Sequence, residues 1–309
     1  SLSSHLAAGE WTVLPAPSTF QLVAGHLGWR METLTCHGLH AAPIEQLRAV
    51  MAPCGRLICL VRDGDAPAKL ASWLTAQGAG TATLHICERM GGPNQRIRQT
   101  TAAGFDVGPI AAPVAVAVEL PAGVGLPRAS GLPDDSFAHD GQITKRPVRA
   151  LTLSALAPRP TETLWDIGAG SGSISVEWCL AGGCATAFEI KTDRVKNIAR
   201  NIKDFGLGHR MTVVEGQSSV AIQNLPPPDA VFIGGGGTAE LFEQIFAIVP
   251  EGTRIVTNGV TLETEALLAN LHAAKGGTLL RIELAQAQPL GRMRGWQPVR
   301  PVVQWSVTL

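Results

Sequence analysis

The chain has 309 residues, and its 25 Lys and Arg are matched by 25 Asp and Glu, so the formal net charge is zero. That length suggests two domains, each large enough to bury a core without staples, and a charged fraction of only 16% excludes charge-driven disorder. Neither half hides a basic field: residues 1–140 hold 9 basic and 11 acidic side chains, and residues 141–309 hold 16 and 14, so no nucleic-acid partner is expected.

The first elements read as mixed α/β. Arg56–Val61 is a strand-like apolar run, a helix spans Pro67–Gln77 with Leu70, Trp73 and Leu74 on one face, and strands follow at Thr83–Cys87 and Val114–Leu120. Strand, helix and strand in that order suggest a crossover connection. Residues 121–140 hold three Pro, three Gly and no apolar stripe, which reads as a linker or domain boundary, with Asp134-Asp135 a solvated turn. From residue 141 the alternation is regular: helix 146–157, strand Thr163–Ile167, glycine turn 168–172, helix 173–181, strand Thr186–Ile190, helix 193–205, strand Met211–Glu215, helix 217–224, strand Ala230–Ile233, helix 238–248, strand Arg254–Asn258, helix 262–274, then extended segments Thr278–Leu284 and Val302–Val307. Repeated βα units with short loops predict an open, mostly parallel, doubly wound α/β sheet of Rossmann-like type.

No run approaches the 18 apolar residues of a membrane span, and the opening SLSSHLAAGEW lacks the basic and apolar regions of a signal peptide. Ser1 stands where a Met would be expected, which points to a processed or truncated chain. Six cysteines without a CxxC pair read as free thiols in a reducing cytoplasm. Cys36-His37-Gly38-Leu39-His40 offers only two spaced histidines, so no metal site is expected. Trp29, Trp73, Trp165, Trp178, Trp296 and Trp305 read as packing residues.

The chemistry concentrates in Leu164-Trp165-Asp166-Ile167-Gly168-Ala169-Gly170-Ser171-Gly172-Ser173, a strand running through a glycine turn into a helix. Gly168, Ala169, Gly170, Ser171 and Gly172 let backbone approach a ligand closely, and the following helix N-terminus favours an anionic group. Glu189 ends the next strand, where a carboxylate can accept hydrogen bonds from both hydroxyls of a ribose. The spacing is GxGxG rather than the GxGxxG of a dinucleotide site, and Asp166 precedes it. S-Adenosylmethionine is therefore favoured over a nicotinamide cofactor, although an NAD(P)-dependent oxidoreductase remains the alternative enzyme class. Gln217 and Ser218 follow the third strand, where an adenine-contacting loop should lie. Asp229–Ile233 runs into Gly234, Gly235, Gly236 and Gly237, where backbone must lie close to cofactor or substrate.

Together with GQITKRPVRALTLSAL upstream, and with TNGVTLET and PLGRMRGWQPVRPVVQW downstream, these residues closely resemble the decarboxylating precorrin methyltransferases of corrin-ring biosynthesis over 141–309. In the first half, PAPSTFQ and ERMGGPNQRI resemble the second lobe of a tetrapyrrole methyltransferase domain. That family's opening strand, glycine-rich loop and Gly-Asp-Pro motif are not found ahead of PAPSTFQ, so residues 1–120 read as a single lobe, able to act as an assembly module. The resemblance implies methylation of a precorrin at ring carbons 5 and 15 with loss of carbon dioxide from the ring C acetate, the second domain carrying the carbon-15 step and the decarboxylation. It also implies S-adenosylmethionine as cofactor and a homo-oligomer, a tetramer through the second domain. Within the matched phrases, Thr144 is the expected cofactor contact. Lys145, Arg146, Arg292 and Arg294 are expected to grip the substrate's carboxylates, with Lys145 and Arg292 the candidates for catalysis.

Overall fold

A computed structural model describes residues 5–7 and 9–309. The opening Ser1–Ser4, on which the readings about chain start and signal peptide partly rest, lies outside the described residues. The chain divides into two compact units, the first ending at Gly125 and the second beginning at Leu126.

The first unit opens on helix α1 (Thr19–Leu27). Ser18 caps it by accepting from the Gln21 amide, and the Gln21 side chain accepts in return from the Ser18 amide, so PSTFQ is a capping box. Strands β1 (Leu34–Gly38) and β2 (Arg56–Leu60), helix α2 (Ala66–Ala76), and strands β3 (Thr83–Glu88), β4 (Arg96–Thr101) and β5 (Val114–Glu119) follow. The sheet order is β1-β2-β5-β3-β4. Both β2 and β3 run antiparallel to β5 and so parallel to each other, with α2 as the crossover between them. The alternating Val and Ala of β5 fill that gap, and Val114–Val118 are all buried. The sequence reading did not anticipate β1 or β4. The latter is a polar edge strand, RIRQTT, whose Arg96 and Arg98 close on the buried Glu88 carboxylate. That pairing holds Glu88 down to about 2. The helix that PAPSTFQ opens meets the second motif: Gln95 hydrogen-bonds His26, and Gly91 lies against Leu22.

The second unit places helix α3 (Arg146–Leu156) ahead of β6 (Thr163–Ile167), α4 (Ser173–Leu180), β7 (Cys184–Glu189), α5 (Thr192–Asp204), β8 (Met211–Glu215), α6 (Ser218–Ala221), β9 (Ala230–Ile233), α7 (Ala239–Ile248), β10 (Arg254–Gly259) and α8 (Leu262–Lys275). These match the expected alternation to within a residue or two, except that the helix expected over 217–224 is one short α-turn continued by a 3-10 turn, Ile222–Asn224. Then come β11 (Thr278–Ile282), β12 (Ala285–Leu290), β13 (Met293–Pro298) and β14 (Val302–Thr308). The seven-stranded order is β11-β14-β10-β9-β6-β7-β8, parallel from β10 to β8, with β14 antiparallel between β10 and β11. The chain leaves β6 toward β7 and β8 and returns as β9 on its other side. The carboxyl ends of β6 and β9 therefore form a topological switch point, where such sheets bind ligands.

Three expectations need correction. The division between the units falls inside the expected 121–140 segment, but residues 126–140 are not linker: Leu132 and Phe137 are buried in the second unit's core, and Glu177 accepts from the Gly131 and Leu132 amides. Asp134 is not a solvated turn residue, because it pairs with the buried Arg149 and accepts from the Arg146 amide. Trp296 does not pack. It is 77% exposed on the β12–β13 hairpin, which pairs with no other strand among the described residues. Trp165, Trp178 and Trp305 are buried as expected.

Candidate cofactor site

The glycine turn between β6 and α4 is left-handed at each glycine, with φ of 65° at Gly168, 62° at Gly170 and 71° at Gly172. At Gly168 the requirement is double: a Cβ there would also sit 2.4 Å from the Gly235 carbonyl oxygen. The turn and the glycine loop after β9 thus touch backbone to backbone, which is why Gly168 must lack a side chain.

Beside them opens a cavity of about 550 Å3, within the usual range for small-molecule sites. Gly168, Glu189, Gln217, Ser218 and Gly235 line it, as do Lys191, Arg194, Gln244 and the apolar Ile190 and Leu241. Glu189 is 4% exposed. Its Oε2 accepts from the Gly170 amide at 2.9 Å, and its Oε1 accepts from the Ile190 and Lys191 amides, both at 3.0 Å. Three backbone donors stabilise the carboxylate and fix its direction. Because each carboxylate oxygen can accept two bonds, Oε2 keeps capacity for a ligand hydroxyl.

Behind the turn, Asp166 is wholly buried. Its Oδ2 accepts from the Ser175 hydroxyl at 2.7 Å and the Ser175 amide at 3.3 Å. Burial pushes its carboxyl up to about 6, against the lowering effect of those bonds. Asp166 Oδ1 and Ser171 Oγ are buried with no hydrogen-bond partner, so the protein leaves polar capacity unused beside the turn.

Of the other expected residues, Ala169, Gly170, Ser171, Gly172 and Gly234 shape the two glycine loops without lining the cavity. Thr144 lies in a segment, residues 138–145, that passes over the turn: the Gln142 carbonyl comes within 3.4 Å of where a Gly170 Cβ would be. Lys145 is exposed, its Nζ 3.6 Å from Asp134 Oδ2, and Arg146 begins α3. The structure does not bring Arg292 and Arg294 to the cavity. They stand on the exposed hairpin, Arg292 in its turn and Arg294 on β13. Sequence reasoning missed Arg194, whose place two positions after the start of α5 faces it to the cavity rim. It also missed Arg149. The signals for that residue were its place in GQITKRPVRALTLSAL and a basic position among the buried residues of α3. Among the described residues no group of three or more His, Cys, Asp or Glu could hold a metal ion, and no helix is long and apolar enough to cross a membrane.

A family model described as a precorrin methyltransferase domain matches residues 135–309. The chain belongs to this precorrin methyltransferase family. It is 44% identical to a precorrin-6Y C(5,15)-methyltransferase [decarboxylating] from Sinorhizobium sp, across 100% of this chain and 76% of that protein. A probable cobalt-precorrin-6B C(15)-methyltransferase (decarboxylating) from Pyrobaculum aerophilum is 33% identical over 181 residues, covering 56% of this chain and 92% of that protein. Among solved structures, the C-terminal domain of precorrin-6Y C5,15-methyltransferase from Rhodobacter capsulatus matches with 58% identity and a TM-score of 0.59, over 60% of this chain and all of that one. This precorrin methyltransferase is accordingly an enzyme that couples methylation to decarboxylation. Family membership decides against the nicotinamide-dependent alternative.

Proposed function

We propose that the second unit binds S-adenosylmethionine in the cavity at the β6–β9 switch point and directs methylation to carbon 15 of a precorrin, with loss of carbon dioxide from the ring C acetate. The observation that carries this reading is Glu189, a buried carboxylate held by three amides beside a GxGxG turn. The residues present fit the cofactor. Gly168 and Gly235 leave room for close backbone approach, and Glu189 is placed to accept from ribose hydroxyls. Gln217 carries amide groups for an adenine edge, with Ser218 beside it. When bound, the cofactor supplies an electrophilic methyl group.

The reduced macrocycle is itself electron-rich, so the protein's task is to orient it, exclude water and receive or return protons. Lys145 and Arg146 place two cations at the start of α3, complementary to the acetate and propionate carboxylates of the substrate class. Lys145 is the group assigned to the reacting acetate. Arg292 and Arg294 on the exposed hairpin are assigned to outlying carboxylates. A separate relative named for the carbon-15 reaction, aligned over little more than half of this chain, supports giving that step and the decarboxylation to one unit. For the first unit the proposal is confined to what its motifs suggest, a lobe of a tetrapyrrole methyltransferase domain. Cytoplasmic localisation belongs to the same reading, supported by six cysteines that are all free.

The second unit also self-associates in this reading. The hairpin exposes Leu290, Met293 and Trp296, and an isolated two-strand hairpin is marginal in water until something packs on it. Titration calorimetry with S-adenosylhomocysteine and with NAD tests the cofactor. Binding of the first and not the second is expected, and NAD binding alone refutes the proposal. Mass analysis of the tetrapyrrole product should show methyl gained and carbon dioxide lost, with the decarboxylation slowed in Lys145→Ala.

A further inference from the structure

The segment over the glycine turn is held by side chains of α3, α4 and α5. Arg149, on α3, is wholly buried. Its Nε donates to Glu177 Oε1 at 2.6 Å and its Nη1 to Asp134 Oδ1 at 3.1 Å. Nη1 also donates to the Thr144 carbonyl, and Nη2 to the Leu132 carbonyl. The guanidinium lies over the Phe137 ring, 4.8 Å from its centroid. Glu177 belongs to α4, the helix that the glycine turn begins. Arg149 therefore measures the height of residues 132–144 above that turn from a fixed point inside the unit.

Two further pins come from α5. Asn201, also buried, accepts from the Ala138 amide at 2.7 Å and donates to the carbonyls of Ala138 and Ser171 at 3.0 and 2.9 Å. It thus ties the segment directly to the turn. Arg194, which lines the cavity, donates through Nε to Asp140 Oδ2 at 2.9 Å. Asp134 serves both Arg149 and the Lys145 ammonium, so one buried guanidinium orients the residue assigned to the substrate as well as the segment assigned to the cofactor.

The geometry points to Arg149 as a positioning residue: it holds residues 138–145 against the glycine turn at the height that a bound cofactor requires, and through Asp134 it aims Lys145. This rests on the proposed reading that the cavity takes S-adenosylmethionine. Lysine keeps the charge but lacks the planar fork that reaches Glu177, Asp134 and two carbonyls at once. Arg149→Lys is therefore the informative variant. Asp140→Asn, which weakens the half-exposed latch to Arg194, is its partner should the lysine variant fail to fold.

Titration calorimetry with S-adenosylhomocysteine is run on the full chain and both variants at a temperature where circular dichroism shows each folded. Wild-type binding tests the cofactor reading by itself, and its failure overturns that reading. Given wild-type binding, Arg149→Lys should raise Kd at least about tenfold and Asp140→Asn about threefold, each beyond measurement error. A cooperatively folded Arg149→Lys with lowered Tm but wild-type Kd makes Arg149 a stability residue only and overturns the inference. If the lysine variant does not fold, an unchanged Kd in Asp140→Asn overturns it equally.

Discussion

Replacing Glu189 with Gln tests the centre of the site, and its outcome can be worked from the hydrogen bonds. The carboxylate accepts from one amide at Oε2 and from two at Oε1. A glutamine presents one oxygen and one NH2. The better orientation keeps the carbonyl oxygen toward Ile190 and Lys191 and turns the NH2 toward the Gly170 amide, leaving two donors face to face. One buried amide left unsatisfied costs about 1–3 kcal/mol, so a Tm fall of several degrees is expected. Binding is affected separately. The NH2 now occupies the oxygen that had capacity for a ribose hydroxyl, and losing that one charge-assisted bond, worth about 1.5–3 kcal/mol, weakens binding at least about tenfold. Calorimetric titration with S-adenosylhomocysteine reads the second effect and thermal unfolding the first. A variant with lowered Tm but Kd within about threefold of wild type would refute the reasoning, because Glu189 would then be a loop-capping residue alone.

The two turn glycines should separate cleanly. Gly168→Ala, with its Cβ 2.4 Å from the Gly235 carbonyl oxygen, should cost about 3 kcal/mol in chemical denaturation and abolish cofactor binding. Gly170→Ala meets only the Gln142 carbonyl at 3.4 Å and should cost about 1 kcal/mol of left-handed strain. For Asp166 the sign follows from a folded value of about 6 against an ordinary value of 3.8. The folded state keeps its proton where the unfolded state has lost it, so this group removes stability as pH rises from about 4 to 6, about 3 kcal/mol in all. Asp166→Asn can keep both Ser175 bonds, so its advantage over wild type should grow by that amount across the window in apo unfolding curves, and a flat difference would contradict the assignment. Trp296→Ser with Met293→Ser, both exposed on a hairpin that pairs with no other strand among the described residues, should lower the assembly mass in light scattering while leaving a monomer's circular dichroism intact. An unchanged mass removes the hairpin from the interface.

The second unit was legible in the sequence because its parallel strands are short apolar runs and the turns after β6, β8, β9 and β10 carry a glycine or a capping residue. Thr163–Ile167, Met211–Glu215 and Ala230–Ile233 needed no tertiary information to place. The hairpin was not legible, since AQAQPL and MRGWQP lack the alternation that burial of one face imposes, and no face of either is buried. Residues 126–140 misled for the opposite reason. Their glycines and prolines speak of turns, while the two apolar anchors, Leu132 and Phe137, are too few to show a period. At the site, backbone-defined features such as the glycine turn and Glu189 could be read directly. Arg149 could not, because what makes it matter is the convergence of α3, α4 and a loop that chain order keeps apart.

In the first unit, β5 stands between β2 and β3 and bonds to both over the same residues, Ala115 to Glu119. Until those residues emerge and insert, the crossover through α2 has brought two apolar strands side by side with a strand-wide slot between them, each presenting an unpaired edge. Such edges recruit whatever extended chain is nearest. Any division of this protein for separate expression must therefore fall after Glu119, and a cut placed earlier in the chain should yield aggregates rather than a soluble lobe.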